Sequence, residues 1–202
     1  GAGTGKSHLL RQLLRVLDPA HTAVTASTAL AASHLGGTTL HSWAGVGHGK
    51  GSVVELAKLL HGKKEALHRW KTTRTLVVDE ISMVDGELFA KLEVLARAVR
   101  GNDEPFGGMQ LVLTGDFLQL PPVSKRDEGR QKFCFEMPAW TRAVTHKFEL
   151  TEVFRQRGDG AFCRVLEELR YGELSEASAA LLLPRLTASV GPQATITRLM
   201  PL

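Results

Sequence analysis

Thr75-Leu76-Val77-Val78-Asp79-Glu80 is an apolar run that ends abruptly on two acids. A strand without polar alternation has both faces covered, which is the condition of a parallel strand lying between helical layers. Outward from it, Gln110 to Thr114 is a second such run, closing on Gly115-Asp116, and Ala23 to Ala26 is a third, built of small and branched residues. Helical patterns separate them. Leu9, Leu10, Leu13, Leu14 and Leu17 recur on one face after Lys6 and stop before Asp18-Pro19, where proline disfavours continuation. Ser27 to Leu35 reads as a short helix ended by Gly36-Gly37, and Leu88, Leu92, Leu95 and Val99 mark a longer one with Asp85 as its N-cap. Buried strands alternating with amphipathic helices predict the α/β class, a mostly parallel sheet flanked by helices. Function in such sheets sits beyond the carboxyl ends of the strands, which is where Asp79, Glu80 and Asp116 fall.

The remainder of the chain sets bounds. With 202 residues, 43% hydrophobic and 23% charged, it has the composition of a globular domain rather than a disordered tail or a disulfide-packed miniprotein. The formal charge of +4 permits a polyanionic partner without demanding one. No apolar stretch approaches the ~20 residues of a membrane span. Cys134 and Cys163 are expected to be reduced, buried, inert thiols, which points to an intracellular protein. Gly45 to Gly51 holds four glycines and reads as a loop; Val53 to Trp70 has intermittent helical spacing, and Lys63, Lys64, Arg69 and Lys71 along it read as a solvated basic face. Later, Phe162, Val165, Leu166 and Leu169 mark a helix, Ser175 to Leu183 another, and Ala194 to Thr197 a strand. The start on Gly1, without an initiator methionine or leader pattern, is expected of a piece of a longer protein.

Gly1-Ala2-Gly3-Thr4-Gly5-Lys6-Ser7 matches all but the first residue of the phosphate-cradling pattern G-x-x-x-x-G-K-[ST]. Small residues let successive backbone N–H groups turn onto phosphate oxygens, and the helix that follows offers its positive dipole end. Lys6 would reach the β and γ phosphates, and Ser7 would ligate Mg²⁺. Opposite such a cradle, a strand delivering paired acids suits a magnesium nucleotide: Asp79 would hold the metal through its water shell, and Glu80 would orient and deprotonate the attacking water. Gln119, in Gly115-Asp116-Phe117-Leu118-Gln119-Leu120-Pro121-Pro122, stands where an amide could sense the γ-phosphate while the prolines stiffen the loop. Taken singly, each pattern has a plainer alternative: a turn opening a helix, a solvated acidic pair, a proline-stiffened bend.

In chain order these motifs, together with Thr25-Ala26-Ser27-Thr28, Gly36-Gly37-Thr38-Thr39-Leu40-His41-Ser42-Trp43-Ala44-Gly45, Asp79-Glu80-Ile81-Ser82-Met83 and Leu150-Thr151-Glu152-Val153-Phe154-Arg155-Gln156, resemble superfamily 1B DNA helicases of the Pif (petite integration frequency) type. Leu92 to Arg100 followed by Pro105-Phe106-Gly107-Gly108-Met109-Gln110-Leu111 is similar to the segment that separates Pif-type enzymes from RecD-like relatives. The resemblance covers essentially the whole chain. It implies a RecA-like P-loop NTPase lobe truncated at both ends, with residues 1–155 as the first motor lobe, lacking its first strand, and 156–202 as a helical connector and the beginning of a second lobe.

The implied activity is that of an ATP-dependent motor moving 5′ to 3′ on single-stranded and forked DNA, with G-quadruplexes as a further substrate and repair, recombination and telomere maintenance as its setting, in nucleus and mitochondrion. ATP is the substrate and Mg²⁺ the cofactor; the protein is expected to be monomeric, with no membrane partner. By the same resemblance Glu80, Gln119 and Arg155 are catalytic, Arg155 reaching across a lobe interface to the γ-phosphate. Gly1, Ala2, Gly3, Thr4, Gly5, Lys6 and Ser7 bind nucleotide, and Ser7 and Asp79 hold the metal. Thr25, Thr28, Thr39, His41 and Ser42 meet DNA phosphates and sugars, while Trp43 is left to the core. Ala29 stands where the family has glycine, and the family's upstream adenine-reading segment and later second-lobe motifs do not occur in these residues, so the piece by itself is not expected to unwind DNA. A RecD-like or relaxase-linked motor, and a product that binds nucleotide or single strands without turnover, are the alternatives.

Overall fold

The structure is a computed structural model describing residues 3–123, 132–154 and 158–186. Its sheet contains β1 (Thr22–Ala26), β2 (Thr38–Thr39), β3 (Thr75–Asp79) and β4 (Gln110–Leu113), in the order β2-β1-β3-β4. Every pairing is parallel, so each strand-to-strand connection must cross over. The crossovers are helical: α1 (Lys6–Leu14) precedes β1, α2 (Ala29–Ser33) joins β1 to β2, α3 (Leu40–Ala44), α4 (Val53–His61) and α5 (Lys64–Thr72) join β2 to β3, and α6 (Gly86–Arg100) joins β3 to β4. The expected α/β class and parallel sheet are therefore present, and all five residues of β3 are buried. The two-residue β2 is too short to carry a sequence pattern.

The chain divides into two compact units, Gly1–Arg155 and Gln156–Leu202. In the first, α7 (Pro138–Ala143) follows the sheet; the second contains α8 (Gly160–Arg170) and α9 (Glu176–Leu186), where helices were expected. The strand expected at residues 194–197 lies outside the described residues.

Helix boundaries follow local chemistry. The Asp85 carboxylate caps α6 by accepting from the Leu88 N–H at 3.0 Å, as expected, and Gly101 ends the helix in the left-handed region at φ 60°. The single pattern over Val53 to Trp70 is two helices. The first opens on a capping box in which Ser52 Oγ accepts from the Glu55 N–H (3.3 Å) and Glu55 Oε2 from the Ser52 N–H (2.7 Å). The α1 face is less buried than its leucines imply: Leu10 is fully covered, whereas Leu9 is 44% and Leu13 36% exposed, because the described elements pack against only part of that stripe.

The core gathers between β3 and the helices. Trp43 and Trp70 lie with ring centroids 4.6 Å apart, and Trp70 Nε1 donates to the Ala44 carbonyl at 2.9 Å, so Trp43 is a core residue as expected. Phe89 packs against Phe106 at 5.0 Å and Trp140 at 5.7 Å. Cys134 is buried beside the Val84 carbonyl (3.2 Å), and burial, then the nearby Asp85 charge, push its thiol up to about 12, which keeps it an unreactive thiol. Cys163 is only half-buried, a correction to the expectation that both were interior; α8 leaves part of its surface open.

Candidate functional site

Asp79 closes the most buried strand and remains only 6% exposed. Its Oδ1 accepts hydrogen bonds from the Thr114 hydroxyl and from the Glu80 N–H (2.9 Å). The chain then turns sharply, with Glu80 at φ 53°, ψ 47°, a left-handed conformation that a residue with a side chain rarely adopts. Two further bonds lock the turn to the end of β4: the Ile81 N–H donates to the Thr114 carbonyl at 2.9 Å, and the Thr114 N–H to the Val78 carbonyl at 3.0 Å. Gly115 lies so close that a Cβ there would stand 2.9 Å from Ile81 Cγ2 and 3.0 Å from the Ile81 nitrogen.

Asp116, 5% exposed, organises the next turn. Its carboxylate accepts from Gln119 Nε2 at 2.7 Å and from the Leu118 N–H at 3.2 Å, while its carbonyl accepts from the Gln119 N–H at 2.9 Å. The exposed Gln119 amide is thus aimed by a buried acid, a role for Asp116 that sequence reading did not assign; the Gly-Asp pair at a strand end was its only signal.

The glycine-rich loop takes the shape its glycines permit, with Gly3 at φ 71° and Gly5 at φ 87°, and Thr4 is buried between them. Lys6 is half-buried at the start of α1 and Ser7 is exposed beside it. Gly1, Ala2 and Arg155 lie outside the described residues. Phe154 nevertheless ties the later segment to the loop: its N–H donates to the Gly3 carbonyl at 2.9 Å, and its ring would lie 3.9 Å from a Cβ on Gly5.

The charges of the glycine-rich loop and of the turns after β3 and β4 meet at Glu80. Its carboxyl is held above the usual carboxylate range first by burial, then by the Asp79 charge, with Lys6 opposing and Asp116 adding to the rise. Lys6, Asp79 and Asp116, with Gln119 bonded to the last, therefore share one neighbourhood. A carboxylate raised in this way is a stronger base when ionised. Among the described residues no group of three or more His, Cys, Asp or Glu forms a metal cage. The Ser7 hydroxyl and the Asp79 carboxylate are hard oxygen donors of the kind magnesium takes when phosphates and water supply the rest. Among the described residues the hydrogen bonds to Asp79 fall on Oδ1 and leave Oδ2 unshared, so the donor set fits that ion.

A second feature lies at the sheet's β2 edge. Thr39, His41 and Ser42 line an open groove of about 790 Å³ together with Lys63, Lys64 and Arg69. The basic stretch read as a solvated face is therefore partly a built wall. Arg69 Nε donates to the Trp43 carbonyl (3.0 Å) and its Nη2 to the Ser42 carbonyl (3.1 Å), while Lys63 Nζ donates to the Gly45 carbonyl (2.8 Å). These cations satisfy the orphan carbonyls at the end of α3. Thr39 caps the start of the same helix, its Oγ1 accepting from the Ser42 N–H at 3.3 Å. Burial, then His48, hold the His41 imidazole below its ordinary value, so it is neutral at pH 7 and the positive charge of the groove comes from the Lys and Arg side chains.

Two residues proposed for DNA contact are placed elsewhere. Thr25 is fully buried and its hydroxyl donates to the Val77 carbonyl at 2.6 Å, a bond between β1 and β3, so its side chain presents nothing to a ligand. Thr28 is half-buried and caps α2, its Oγ1 accepting from the Ala31 N–H at 3.2 Å; it does not line the groove.

The two sites are linked by register. Ala26 pairs with Thr39 on one side and with Asp79 on the other, so Thr39, Ala26 and Asp79 form one row across three neighbouring strands. At about 4.8 Å per strand the row spans about 10 Å from Thr39 to Asp79.

Comparison with known proteins agrees with this geometry. The family described as PIF1-like helicase matches residues 1–179. The ATP-dependent DNA helicase RRM3 of Saccharomyces cerevisiae is 50% identical over 179 residues, covering 86% of this chain and 25% of that protein. The ATP-dependent DNA helicase PIF1 of Xenopus laevis is 49% identical over 185 residues, covering 90% and 28%. Among solved structures, the Pif1 helicase from Candida albicans superposes with a TM-score of 0.89 at 46% identity, over 96% of this chain and 44% of that one. The Bacteroides Pif1 helicase in complex with ADP-AlF3 and ssDNA superposes with a TM-score of 0.74 at 31% identity, over 90% and 43%. The chain thus spans about a quarter of the length of the curated relatives it matches.

Proposed function

Because this chain belongs to the PIF1-like helicases, we propose that it is the nucleotide-binding lobe of an ATP-driven DNA helicase and couples hydrolysis to movement along single-stranded DNA. The observation that carries this reading is the row Thr39–Ala26–Asp79, which sets a basic groove and a phosphate-handling site on the same parallel sheet. Two strand pairings connect the ends of that row.

Each residue then has a chemical task. The loop amides and Lys6 hold the β and γ phosphates. Ser7 and Asp79 are the residues that would hold magnesium, which would supply charge neutralisation at the phosphates. Glu80 accepts the proton of the attacking water, and Gln119, aimed by Asp116, contacts the γ-phosphate. Arg155 follows directly on Phe154, whose backbone is bonded to Gly3, and contributes positive charge to the transition state. Thr39, His41, Ser42 and Lys64 bind the strand backbone without reading bases.

A Bacteroides Pif1 structure bound to ssDNA and a structure of two coordinating Pif1 helicases described as unwinding at forked dsDNA support these as the partner classes. The same reading extends, on resemblance alone, to 5′-to-3′ polarity, G-quadruplex substrates, a monomeric state, and work in repair, recombination and telomere maintenance in nucleus and mitochondrion. Unwinding is proposed of the whole protein.

The test is ATP turnover by the full-length protein with and without single-stranded DNA. Stimulation that vanishes in Lys6→Ala supports a motor. Equal rates with and without DNA mark a binding module instead.

A further inference from the structure

We propose that Arg100 is a positioning residue that transmits occupancy of the basic groove to the nucleotide site, an inference that rests on the helicase reading above. Its guanidinium joins two segments, the end of α5 and the loop before β4. Nη1 donates to the carbonyls of Trp70 (2.7 Å), Thr73 (2.8 Å) and Lys71 (3.3 Å), which are the unsatisfied acceptors at the end of α5. Nε donates to the Gly107 carbonyl at 2.6 Å.

Both partners lead to a site. The same helix carries Lys64 from its first residue and Arg69 from its last turn into the groove, so a strand bound there bears directly on this helix. The Gly107 loop is held in an uncommon shape: Phe106, Gly107 and Gly108 are left-handed in succession at φ 51°, 62° and 75°, and Phe106 is anchored on Phe89. A Cβ at Gly107 would stand 2.7 Å from Arg100 Cδ, so guanidinium stem and loop are in direct contact. Two residues after Gly108 the chain enters β4, whose first residue bonds back through the Gln110 N–H to the Arg74 carbonyl (2.9 Å). Immediately after β4 stands Thr114, whose hydroxyl holds Asp79. Groove, α5, Arg100, loop, β4 and Asp79 are thus one chain of direct contacts. The fork geometry matters, because one planar group spans two segments; lysine has the charge but a single donor point.

The experiment measures ATP turnover by the full-length protein against oligodeoxythymidylate concentration, for wild type, Arg100→Ala, Arg100→Lys and the control Arg97→Ala, which removes a neighbouring arginine of the same helix paired instead with Glu93. Both Arg100 variants are expected to keep the DNA-free rate and the KM for ATP within about twofold while the turnover at saturating DNA falls about tenfold, within the ordinary range of coupling between sites. Arg97→Ala is expected to keep its stimulation. A merely structural staple gives a different result: DNA-free and stimulated rates fall in the same proportion, and that outcome overturns the proposal. Full stimulation in Arg100→Lys overturns it as well, and this variant carries the test if Arg100→Ala does not fold. A wild type without stimulation removes the helicase reading and this inference with it, whereas a stimulated wild type with unaffected Arg100 variants removes this inference alone.

Discussion

Thr114 and Asp79, at the ends of adjacent parallel strands, are joined by a hydrogen bond from the threonine hydroxyl to the carboxylate. The bond fixes which oxygen of Asp79 is occupied and which is presented, so the strand end is set before any ligand arrives. Preorganisation of this kind removes the need to reorient charge during the reaction.

Thr114→Val keeps the shape and deletes that donor. A hydrogen bond to a charged group contributes about 1.5–3 kcal/mol, so kcat/KM for magnesium ATP is expected to fall about 10- to 100-fold while the fold persists. Steady-state kinetics with circular dichroism checks this. An unchanged kcat/KM would show that Asp79 needs no such restraint.

Glu80 makes a prediction in pH. Its carboxyl is raised by burial and then by Asp79, so the folded protein binds this proton more tightly than the unfolded chain does. Stability from this group is therefore present in acid and is lost as pH rises from the ordinary carboxylate range through the raised value. Glu80→Gln removes the charge, and it is expected to melt higher than wild type near neutral pH, with the gap closing toward about pH 4. Turnover should drop about 100-fold or more with nucleotide binding retained, as for loss of a general base. Calorimetry across the pH range and a turnover assay decide; a lower melting temperature at neutral pH contradicts the assignment.

Much of this was legible in the residues, and for a local reason. The cradle, the acid pair after β3 and the Asp85 cap are each encoded within a few consecutive positions. What was not legible depends on partners far along the chain. Lys63 and Arg69 look like an exposed charged face at helical spacing, yet they serve carbonyls 18 and 26 residues away. Thr25 shows a hydroxyl to the reader, but the register that pairs it with Val78 buries it against the Val77 carbonyl. The leucine stripe of α1 promises a covered face, whereas Leu9 and Leu13 remain partly open.

The groove separates two kinds of cation. Lys64 lines it, while Arg69 also holds the Ser42 and Trp43 carbonyls. Lys64→Ala is expected to leave stability unchanged and to lower the slope of log affinity against log salt by about 0.7 for single-stranded DNA, the loss of one phosphate contact. Arg69→Ala should weaken binding and also lower the melting temperature, because two carbonyls lose their donor. Binding titrations at several salt concentrations distinguish the two; an unaltered slope for Lys64→Ala would remove it from the DNA path.

Thr25 tests the boundary between sheet and ligand. Its side chain is fully buried and its hydroxyl is already committed to Val77, so Thr25→Val deletes one buried hydrogen bond, about 1 kcal/mol, and is expected to lower the melting temperature by about 2–4 °C. Because no part of the side chain reaches the groove, affinity for single-stranded DNA should stay within about twofold, less than one lost phosphate contact would cost. Ser42→Ala, on the exposed wall of that groove, should show the reverse: weakened binding with little change in melting. If Thr25→Val instead weakens DNA binding while melting normally, the hydroxyl must leave Val77 to meet the strand, and the β1–β3 bond would be a resting-state contact rather than a fixed part of the sheet.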